Sequence, residues 1–330
     1  MFQFIKSKLH RFACLLLAAA SVSVGAQEWP PARPVRLIVA ALPGSSPDVT
    51  ARILANELQK QTGRTFVVIN KAGGLGIPAV TEVSQAAPDG TTLLVGNINT
   101  NGLAPALHAK KYGFDVKSAL QPVTPLSEGP SALIAGPSAP PGGFREQVAA
   151  WRSNPGKYAY FAAGPGSFGH IWYAKLLEQQ GLDLLFVPVK GGVEGLQLLH
   201  EGSVHYSYVP ITSFIGQLRN KEVRALFVTG PTRLPEFPDV PTLREVGLSE
   251  DFEINTWVGL FAPPGMRPDL LTRIHAAFAK AISQPEVTAR YKETQMFQKV
   301  SPSPEDFKKF VDGQIDVYQQ IAARARIQVD

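Results

Sequence analysis

The chain has 330 residues, enough for one large or two medium domains, and 45% of them are hydrophobic while 18% are charged. This balance is typical of globular proteins and excludes an intrinsically disordered chain. The formal net charge is +5, and no run of five or more Lys or Arg residues indicates nucleic-acid binding.

The first 26 residues have the pattern of a secretory signal peptide. Lys6, Lys8 and Arg11 give a basic start, an apolar run follows over 12–20, and Ala26 ends a cleavage pattern of small residues. The apolar run is too short to cross a membrane. We therefore predict export with cleavage near Ala26, and the loss of three basic residues leaves a net charge of +2 on the mature chain.

Metal and thiol chemistry are not indicated. The only cysteine, Cys14, lies inside the predicted leader, so the mature chain has no disulfide and no Cys-based metal site. The six histidines are scattered, and only His200 and His205 are close in sequence. We predict neither a metal nor a cofactor.

From residue 35 onward, apolar strand-like runs alternate with helical patterns. Residues 35–40 form a continuous apolar run, which is typical of a strand buried on both faces. The alternation predicts an α/β fold in which mostly parallel sheets carry helices on both faces. The predicted strands cover 35–40, 65–69, 91–96, 122–126, 131–135, 158–162, 184–188, 204–208, 223–228 and 252–261. The predicted helices cover 47–61 after an N-cap at Ser46, 78–87, 103–109, 144–153, 168–180 after an N-cap at Ser167, 192–201, 211–219, 268–282, 285–291 and 304–325.

Two extended crossing segments divide this series, and more than seven strands favour two sheets over one. We predict a leader over 1–26, a first domain made of 27–127 plus 253–330, and a second domain over 128–252. Ligands of open α/β sheets bind at the carboxyl ends of the strands. Two such sheets that face each other across a hinge would form a cleft at those ends.

The segment 157–180 is the most informative stretch. A strand, a glycine-rich turn and a helix follow one another, and Gly164, Gly166 and Gly169 let a ligand approach the main chain closely. Ser167 has the position of a helix N-cap, so the free N–H groups of the first turn and the positive end of the helix dipole attract a carboxylate or phosphate. We predict an anion pocket here, opposite a second one after the first strand.

Two enzyme interpretations compete for the same stretch. Residues 164–169 match the G-x-G-x-x-G dinucleotide fingerprint, but Asp183, at the spacing of the required acid, begins a strand instead of ending one. A nucleophile elbow, G-x-S-x-G, needs glycine where Pro165 stands. Ser167 and His170 could still form a hydrolase dyad, although no orienting acid is evident.

Other candidate residues have a structural and a functional interpretation. Lys190 ends a predicted strand and is either an anion-attracting residue at the cleft edge or a solvated surface lysine. A set of large aromatic residues belongs more often to a core than to a ligand wall. These residues are Trp172, Trp257, Tyr206, Tyr208 and Phe214.

Taken in order, several motifs resemble the Bug-type periplasmic solute-binding proteins of the tripartite tricarboxylate transporter family, over essentially the whole mature chain. The motifs are Pro34-Val-Arg-Leu-Ile-Val39, Pro43-Gly44, Asp48-Val-Thr-Ala-Arg52, Ala87-Pro-Asp-Gly90, Thr92-Leu-Leu94, Pro105-Ala-Leu107, Tyr160-Phe-Ala-Ala-Gly-Pro-Gly-Ser167 with His170, Val187-Pro188, Lys190-Gly-Gly192, Pro238-Asp-Val-Pro-Thr242 and Gly259-Leu-Phe-Ala-Pro263.

The resemblance implies a two-domain type II periplasmic-binding-protein (Venus-flytrap) fold and no catalytic residues. It implies a periplasmic monomer that captures a small di- or tricarboxylate, or an aromatic carboxylate, and delivers it to a two-component membrane permease. Runner-up functions are a ligand-sensing subunit that presents its loaded form to a membrane receptor, and an exported α/β hydrolase using Ser167 and His170. The predicted ligand contacts are Pro43, Gly44, Ser45, Asp48, Asn97, Thr100, Ala163, Gly164, Gly166, Ser167, His170, Lys190 and Val209.

The chain departs from the family pattern at positions expected to set specificity. Ser45 replaces the second glycine of the first loop, Val189 replaces a tyrosine, and Val209 and His205 stand where the family commonly has acids. The loss of both acids favours a purely anionic or an aromatic carboxylate over an amino acid. Tight binding of aspartate or glutamate, without binding of mono- or dicarboxylates, would contradict this hypothesis.

Overall fold

The computed structural model describes residues 29–324 and 327, so the predicted leader and Cys14 lie outside the described residues. The described chain forms two β-sheets with helices packed on them. The first sheet has the strand order β11-β4-β10-β3-β1-β2 and the second has the order β7-β6-β8-β5-β9. The strands are β1 (Val35–Val39), β2 (Phe66–Asn70), β3 (Thr92–Asn97), β4 (Gln121–Gly129), β5 (Ser131–Ala135), β6 (Ala159–Ala162), β7 (Leu185–Pro188), β8 (Tyr206–Pro210), β9 (Arg224–Val228), β10 (Thr256–Ala262) and β11 (Phe297–Gln298).

Both sheets are mixed: among the described strands four pairings are parallel and five are antiparallel. In the first sheet β1 pairs in parallel with β2 and β3, while β10 is antiparallel to both of its neighbours. In the second sheet β6 pairs in parallel with β7 and β8, while β5 is antiparallel to β8 and β9. The antiparallel strands β5 and β10 follow the two points at which the chain changes sheets. The α/β fold with two sheets is therefore confirmed.

Twelve α-helices can be numbered within the described residues. They are α1 (Ser46–Thr62), α2 (Ile77–Ser84), α3 (Ala104–Leu107), α4 (Ala109–Tyr112), α5 (Val116–Ala119), α6 (Phe144–Ser153), α7 (Phe168–Gln180), α8 (Gly192–Glu201), α9 (Ile215–Arg219), α10 (Pro268–Ile282), α11 (Pro285–Glu293) and α12 (Pro304–Arg324). Short 3₁₀ turns cover Gly74–Gly76, Ile211–Ser213 and Glu250–Phe252, and a π-helical turn covers Ile98–Leu103.

Local sequence explains the main boundaries. In β1 four of the five side chains are fully buried, as its continuous apolar run predicts. Helix α1 begins one residue earlier than predicted, because Ser45 rather than Ser46 has the extended backbone of the N-cap. The helix ends at Gly63, which adopts the left-handed conformation that glycine tolerates best.

The segment after β3 is the largest departure from the predicted elements. A single helix over 103–109 was expected, but a π-helical turn and three short helices cover the region. The side chain of Asn97 accepts the amides of Asn99 and Thr100, which starts a turn directly at the strand end. Gly102 in this turn lies against Tyr318 of α12, an approach that a side chain would obstruct.

The aromatic residues with two interpretations all belong to the core. Each is at most 4% exposed, and the ring of Trp172 stacks on that of Tyr208 with centroids 4.3 Å apart. The indole N–H of Trp172 also donates to the carbonyl of Phe252, 3.1 Å away, in the segment that leads back to the first sheet. Helix α7 is thereby fixed to β8 and to the returning chain.

Candidate functional site

Loops at the carboxyl ends of β1 and β3 meet loops of the second sheet. The side-chain oxygen of Asn99 accepts the amide of Phe168, 3.0 Å away, at the start of α7. The imidazole Nε2 of His108 donates to the carbonyl of Pro165 at 3.3 Å. Leu42, after β1, lies against Gly191, after β7. These contacts define the candidate site as the region between the two sets of loops.

The first loop, residues 42–46, is organised by a buried carboxylate. Asp48, in the first turn of α1, is 3% exposed and accepts the amide of Gly44 at 2.9 Å. It also accepts the side chains of Asn70 at 2.9 Å and Arg52 at 3.0 Å. Burial alone would raise the pKa of the Asp48 carboxyl, but these hydrogen bonds and the Arg52 charge hold it below its usual range. Asp48 therefore remains ionised and shapes the loop from within.

Ser45 and Ser46 have different surroundings. The Ser45 hydroxyl donates to the carbonyl of Leu42 at 2.6 Å, so it closes the loop on itself. The Ser46 hydroxyl is buried and has no hydrogen-bond partner in the described chain. It lines a cavity of about 10 Å³ together with Thr212 of the second sheet's loops. That volume fits about one water molecule.

Asn97 and Thr100 cap the turn after β3. The Thr100 hydroxyl accepts the Asn97 amide at 3.1 Å and donates to Asn101 at 2.7 Å, and the residue is only 4% exposed. The Asn97 side-chain oxygen accepts the amides of Asn99 and Thr100, which completes the capping box. The structure thus gives both residues a local capping role, which shapes the loop that carries Asn99.

The second loop, residues 163–167, satisfies several of its own polar groups. Ser167 occupies the N-cap position of α7, but its hydroxyl donates to the carbonyl of Gly164 at 2.7 Å instead of capping an amide. The amides of Gly164 and Gly166 are also occupied, by the Ala162 carbonyl and by His170 Nδ1. The amides of all three glycines predicted as ligand contacts, Gly44, Gly164 and Gly166, therefore donate to acceptors within the protein.

Free amides lie instead two to four residues further along the chain. The amides of Ser46 and Asp48 in α1, and those of Gly169 and His170 in α7, donate to no acceptor among the described residues. Each pair belongs to the first turn of a helix of at least 13 residues, where the dipole favours an anion. The first turns of α1 and α7 therefore offer an anion the free backbone amides that the loop glycines lack.

His170 is held as a neutral imidazole. Its Nδ1 accepts the Gly166 amide at 2.9 Å, and its ring stacks on Phe186 with centroids 4.3 Å apart. Burial lowers the pKa of His170. Because Nδ1 is an acceptor, the proton of the neutral ring lies on Nε2, which donates to no other group of the described chain and can donate to a ligand.

The geometry does not support a Ser167–His170 dyad. The serine hydroxyl proton is directed to the Gly164 carbonyl, and the histidine Nδ1 already accepts an amide. No hydrogen bond joins the two side chains in the described structure. The serine therefore lacks the adjacent general base that a nucleophile needs.

We expect acid to weaken the fold through His170. In the folded state the pKa is lowered, so the neutral form contributes its full stabilisation above about pH 6.5, and this contribution is lost as the pH falls through the folded-state pKa. His205 has the same arrangement, since burial lowers its pKa and its Nδ1 accepts the Ala159 amide. Urea midpoints at pH 7.5 and 5.0 measure the effect.

The matched variants are His170→Asn and His205→Asn, whose side-chain oxygen can replace Nδ1 as an acceptor without titrating. The double variant should lose less stability than the unmodified protein between pH 7.5 and 5.0. Equal losses would contradict the assignment of both neutral rings.

Three further predicted contacts, Ala163, Lys190 and Val209, lie at or near the ends of strands of the second sheet. Ala163 and Lys190 are exposed after β6 and β7, and the Lys190 amide, but not its ammonium group, is bound by Glu194. Val209 is 7% exposed near the end of β8 and packs with the core of the second sheet. His205 precedes β8 and so lies at the opposite end of that strand from these loops. His205 therefore does not support the preference for a carboxylate over an amino acid, which rests on Val209 alone.

Sequence reasoning missed Asn99, His108 and Leu42, whose contacts join the loops of the two sheets. A separate groove of about 510 Å³ was also unforeseen. It lies between α7, α12 and the returning segment 253–257, and none of the predicted ligand contacts lines it.

Across the described residues, no helix is long and apolar enough to span a membrane. Within the same residues, no three His, Cys, Asp or Glu side chains are grouped so that they could hold a metal ion.

Residues 50–326 match the family model described as the tripartite tricarboxylate transporter family receptor, TctC. The chain belongs to this TctC family. A UPF0065 protein of Bordetella pertussis is 31% identical over 310 residues, which are 94% of this chain and 94% of that protein. The family resemblance noted from the motifs is therefore confirmed.

Two solved structures are similar to this TctC-family chain. MatC from Rhodopseudomonas palustris with bound malate has 32% identity and a TM-score of 0.78, and the match covers 88% of this chain and 99% of that one. An R. palustris protein with adipate has 26% identity and a TM-score of 0.83, and the match covers 91% and 99% of the two chains. Family members are periplasmic binding proteins, and the two-sheet architecture here is that of a periplasmic binding protein.

Proposed function

We propose that this protein captures a small carboxylate, foremost a dicarboxylate, between its two sheets and carries it through the periplasm to a two-component membrane permease. In this proposal the leader is removed near Ala26 and the protein acts as a monomer. The sheets are the cores of two lobes, 27–127 plus 253–330 and 128–252, that close around the ligand. No step of the proposal requires a metal, a cofactor or bond cleavage.

The observation that carries the proposal is the pair of helix starts on the two sheets. One carboxylate would accept the Gly169 and His170 amides and the His170 Nε2–H at α7, and the other would accept the Ser46 and Asp48 amides at α1. The proximity of Asp48 to that second position does not exclude an anion, because Arg52 pairs with its carboxylate. Lys190 on the rim would attract the anion without pairing directly. The malate and adipate bound by similar proteins have the two carboxylates that this arrangement suits.

Thermal unfolding with a panel of ligands tests the proposal. A dicarboxylate at 100 times its dissociation constant should stabilise the protein by about 2.7 kcal/mol. For a protein of this size the melting temperature should rise by roughly 5 °C. Adipamide, which has the shape of adipate without its charge, is the matched control and should give no shift.

Malate and aspartate form a second matched pair, since they differ only in a hydroxyl against an amino group. Because Val209, near the end of β8, stands in place of an acid, malate should raise the melting temperature more than aspartate. Stabilisation by aspartate and by no carboxylate without an amino group would contradict the proposed ligand class. A flat response to every carboxylate, with turnover of an ester, would contradict the proposed function.

A further inference from the structure

Asn99, in the turn after β3, forms a hydrogen bond with a loop of the other sheet. Its side-chain oxygen accepts the amide of Phe168 at 3.0 Å, although the two residues belong to loops of different sheets. The Asn99 amide is itself fixed by Asn97, whose side-chain oxygen accepts it at 2.8 Å. The acceptor is therefore presented by a turn that its own capping box makes rigid.

The amide that Asn99 accepts would ordinarily be capped within the second loop. Phe168 is the first residue of α7, and the N-cap residue before it, Ser167, directs its hydroxyl to Gly164 instead. The first donor of the helix is thus satisfied by the opposite sheet's loops. Opening of the cleft would expose this amide and leave it without a protein acceptor.

The target of Asn99 is fixed on the second sheet. The ring of Phe168 is 4% exposed and stacks on Tyr208 with centroids 5.0 Å apart. The bond from His108 to the Pro165 carbonyl ties the same loop to the first sheet three residues earlier. Separation of the two sheets at these loops would break both bonds.

We infer that Asn99 is a closure residue, which holds the two lobes together before any ligand arrives. This inference rests on the proposed function for its consequence but not for its geometry. By stabilising the closed form, Asn99 would raise the fraction of molecules that are competent to retain the ligand. It also occupies one donor of α7 and leaves the two following amides for a single carboxylate.

The test measures the distance between the lobes without ligand. The only cysteine, Cys14, lies in the predicted leader, so the protein produced from residue 27 onward can carry spin labels at two exposed positions, Arg64→Cys and Ser153→Cys. Double electron–electron resonance should show a closed population in this protein. Asn99→Ala should lower the ratio of closed to open molecules about fivefold, the effect of one lost hydrogen bond. Asn220→Ala, which removes an exposed asparagine bonded to Glu222, should leave the ratio unchanged.

A second variant separates closure from direct ligand contact. Asn99→Asp keeps the acceptor for the Phe168 amide but adds a negative charge near the carboxylate site. It should therefore keep the closed population without ligand while it weakens malate binding in calorimetry. Asn99→Ala should weaken malate binding in proportion to the fall in the closed fraction, by at most about fivefold.

Two results would overturn the inference: a protein that is entirely open without ligand, or an Asn99→Ala variant with an unchanged distance distribution. A shifted distribution in a protein that binds no carboxylate would support the closure role and would contradict the proposed function. The two claims can thus fail separately.

Discussion

Gly169→Ala should reduce carboxylate affinity at least tenfold and lower the free energy of unfolding by about 1–3 kcal/mol. A Cβ atom at this position would lie 2.8 Å from the carbonyl oxygen of Tyr208 and 3.2 Å from the Cβ of Ala162. The first atom belongs to the backbone of β8 and cannot move aside as a flexible side chain can. The start of α7 would have to shift away from the strand ends, and the amides of Gly169 and His170 would shift with it.

Calorimetric titration with the best dicarboxylate and urea unfolding together measure both effects. Gly313→Ala is the control, because its Cβ would meet nothing within 4 Å and the residue lies within α12. That substitution should stabilise the protein by up to about 1 kcal/mol, the difference in helix propensity, and leave affinity unchanged. Unchanged affinity in Gly169→Ala would contradict the placement of a carboxylate at α7.

Asp48→Asn should destabilise the protein by about 2 kcal/mol and should also weaken ligand binding. The carboxylate accepts bonds from Gly44, Asn70 and Arg52, and an amide group would present a donor to at least one of these donors. The loss of stability is moderate because Arg52 is half exposed and can be solvated when its partner is lost. Binding should weaken because the Gly44 amide loses the group that fixes the first loop.

The pH dependence gives this prediction a distinct signature. The folded-state pKa of Asp48 is lowered, so its carboxylate contributes stability above the unfolded-state pKa of about 4, and this is lost as the pH falls through the folded value. The stability difference between the unmodified protein and Asp48→Asn should therefore be largest near neutral pH and shrink in acid. Asp312→Asn, in an i,i+4 pair with Lys308 on α12, should cost less than about 0.5 kcal/mol. A similar loss in both variants would contradict the special role of Asp48.

Hydrophobic pattern and turn residues predicted most of the fold. Helix α10 and strand β5 have the predicted bounds, since proline begins the first and a short run of mostly apolar residues forms the second. The π-helical turn after β3 could not be predicted, because it depends on the Asn97 side chain and on the approach of α12 to Gly102. Strand β11 has two residues and exists only by pairing with β4. The π-helical turn and strand β11 therefore both depend on tertiary contacts.

The sequence pattern predicted where loops follow the strands but not which of their amides are free. Strand–glycine–helix spacing correctly indicated that α7 begins at the carboxyl end of β6. It could not indicate that Gly164 and Gly166 donate internally, since this requires the rotamer of His170 and the course of the turn. The contact of Asn99 with Phe168 depends on the relative placement of two sheets, about which a local pattern carries no information.

A crystal structure with the best dicarboxylate from the thermal panel tests the central claim most directly. We expect one carboxylate within hydrogen-bonding distance of the Gly169 and His170 amides and the other near the Ser46 and Asp48 amides, with Asn99 still bonded to Phe168. A ligand bound instead in the groove between α7 and α12, with both helix starts left to solvent, would contradict the proposed binding site.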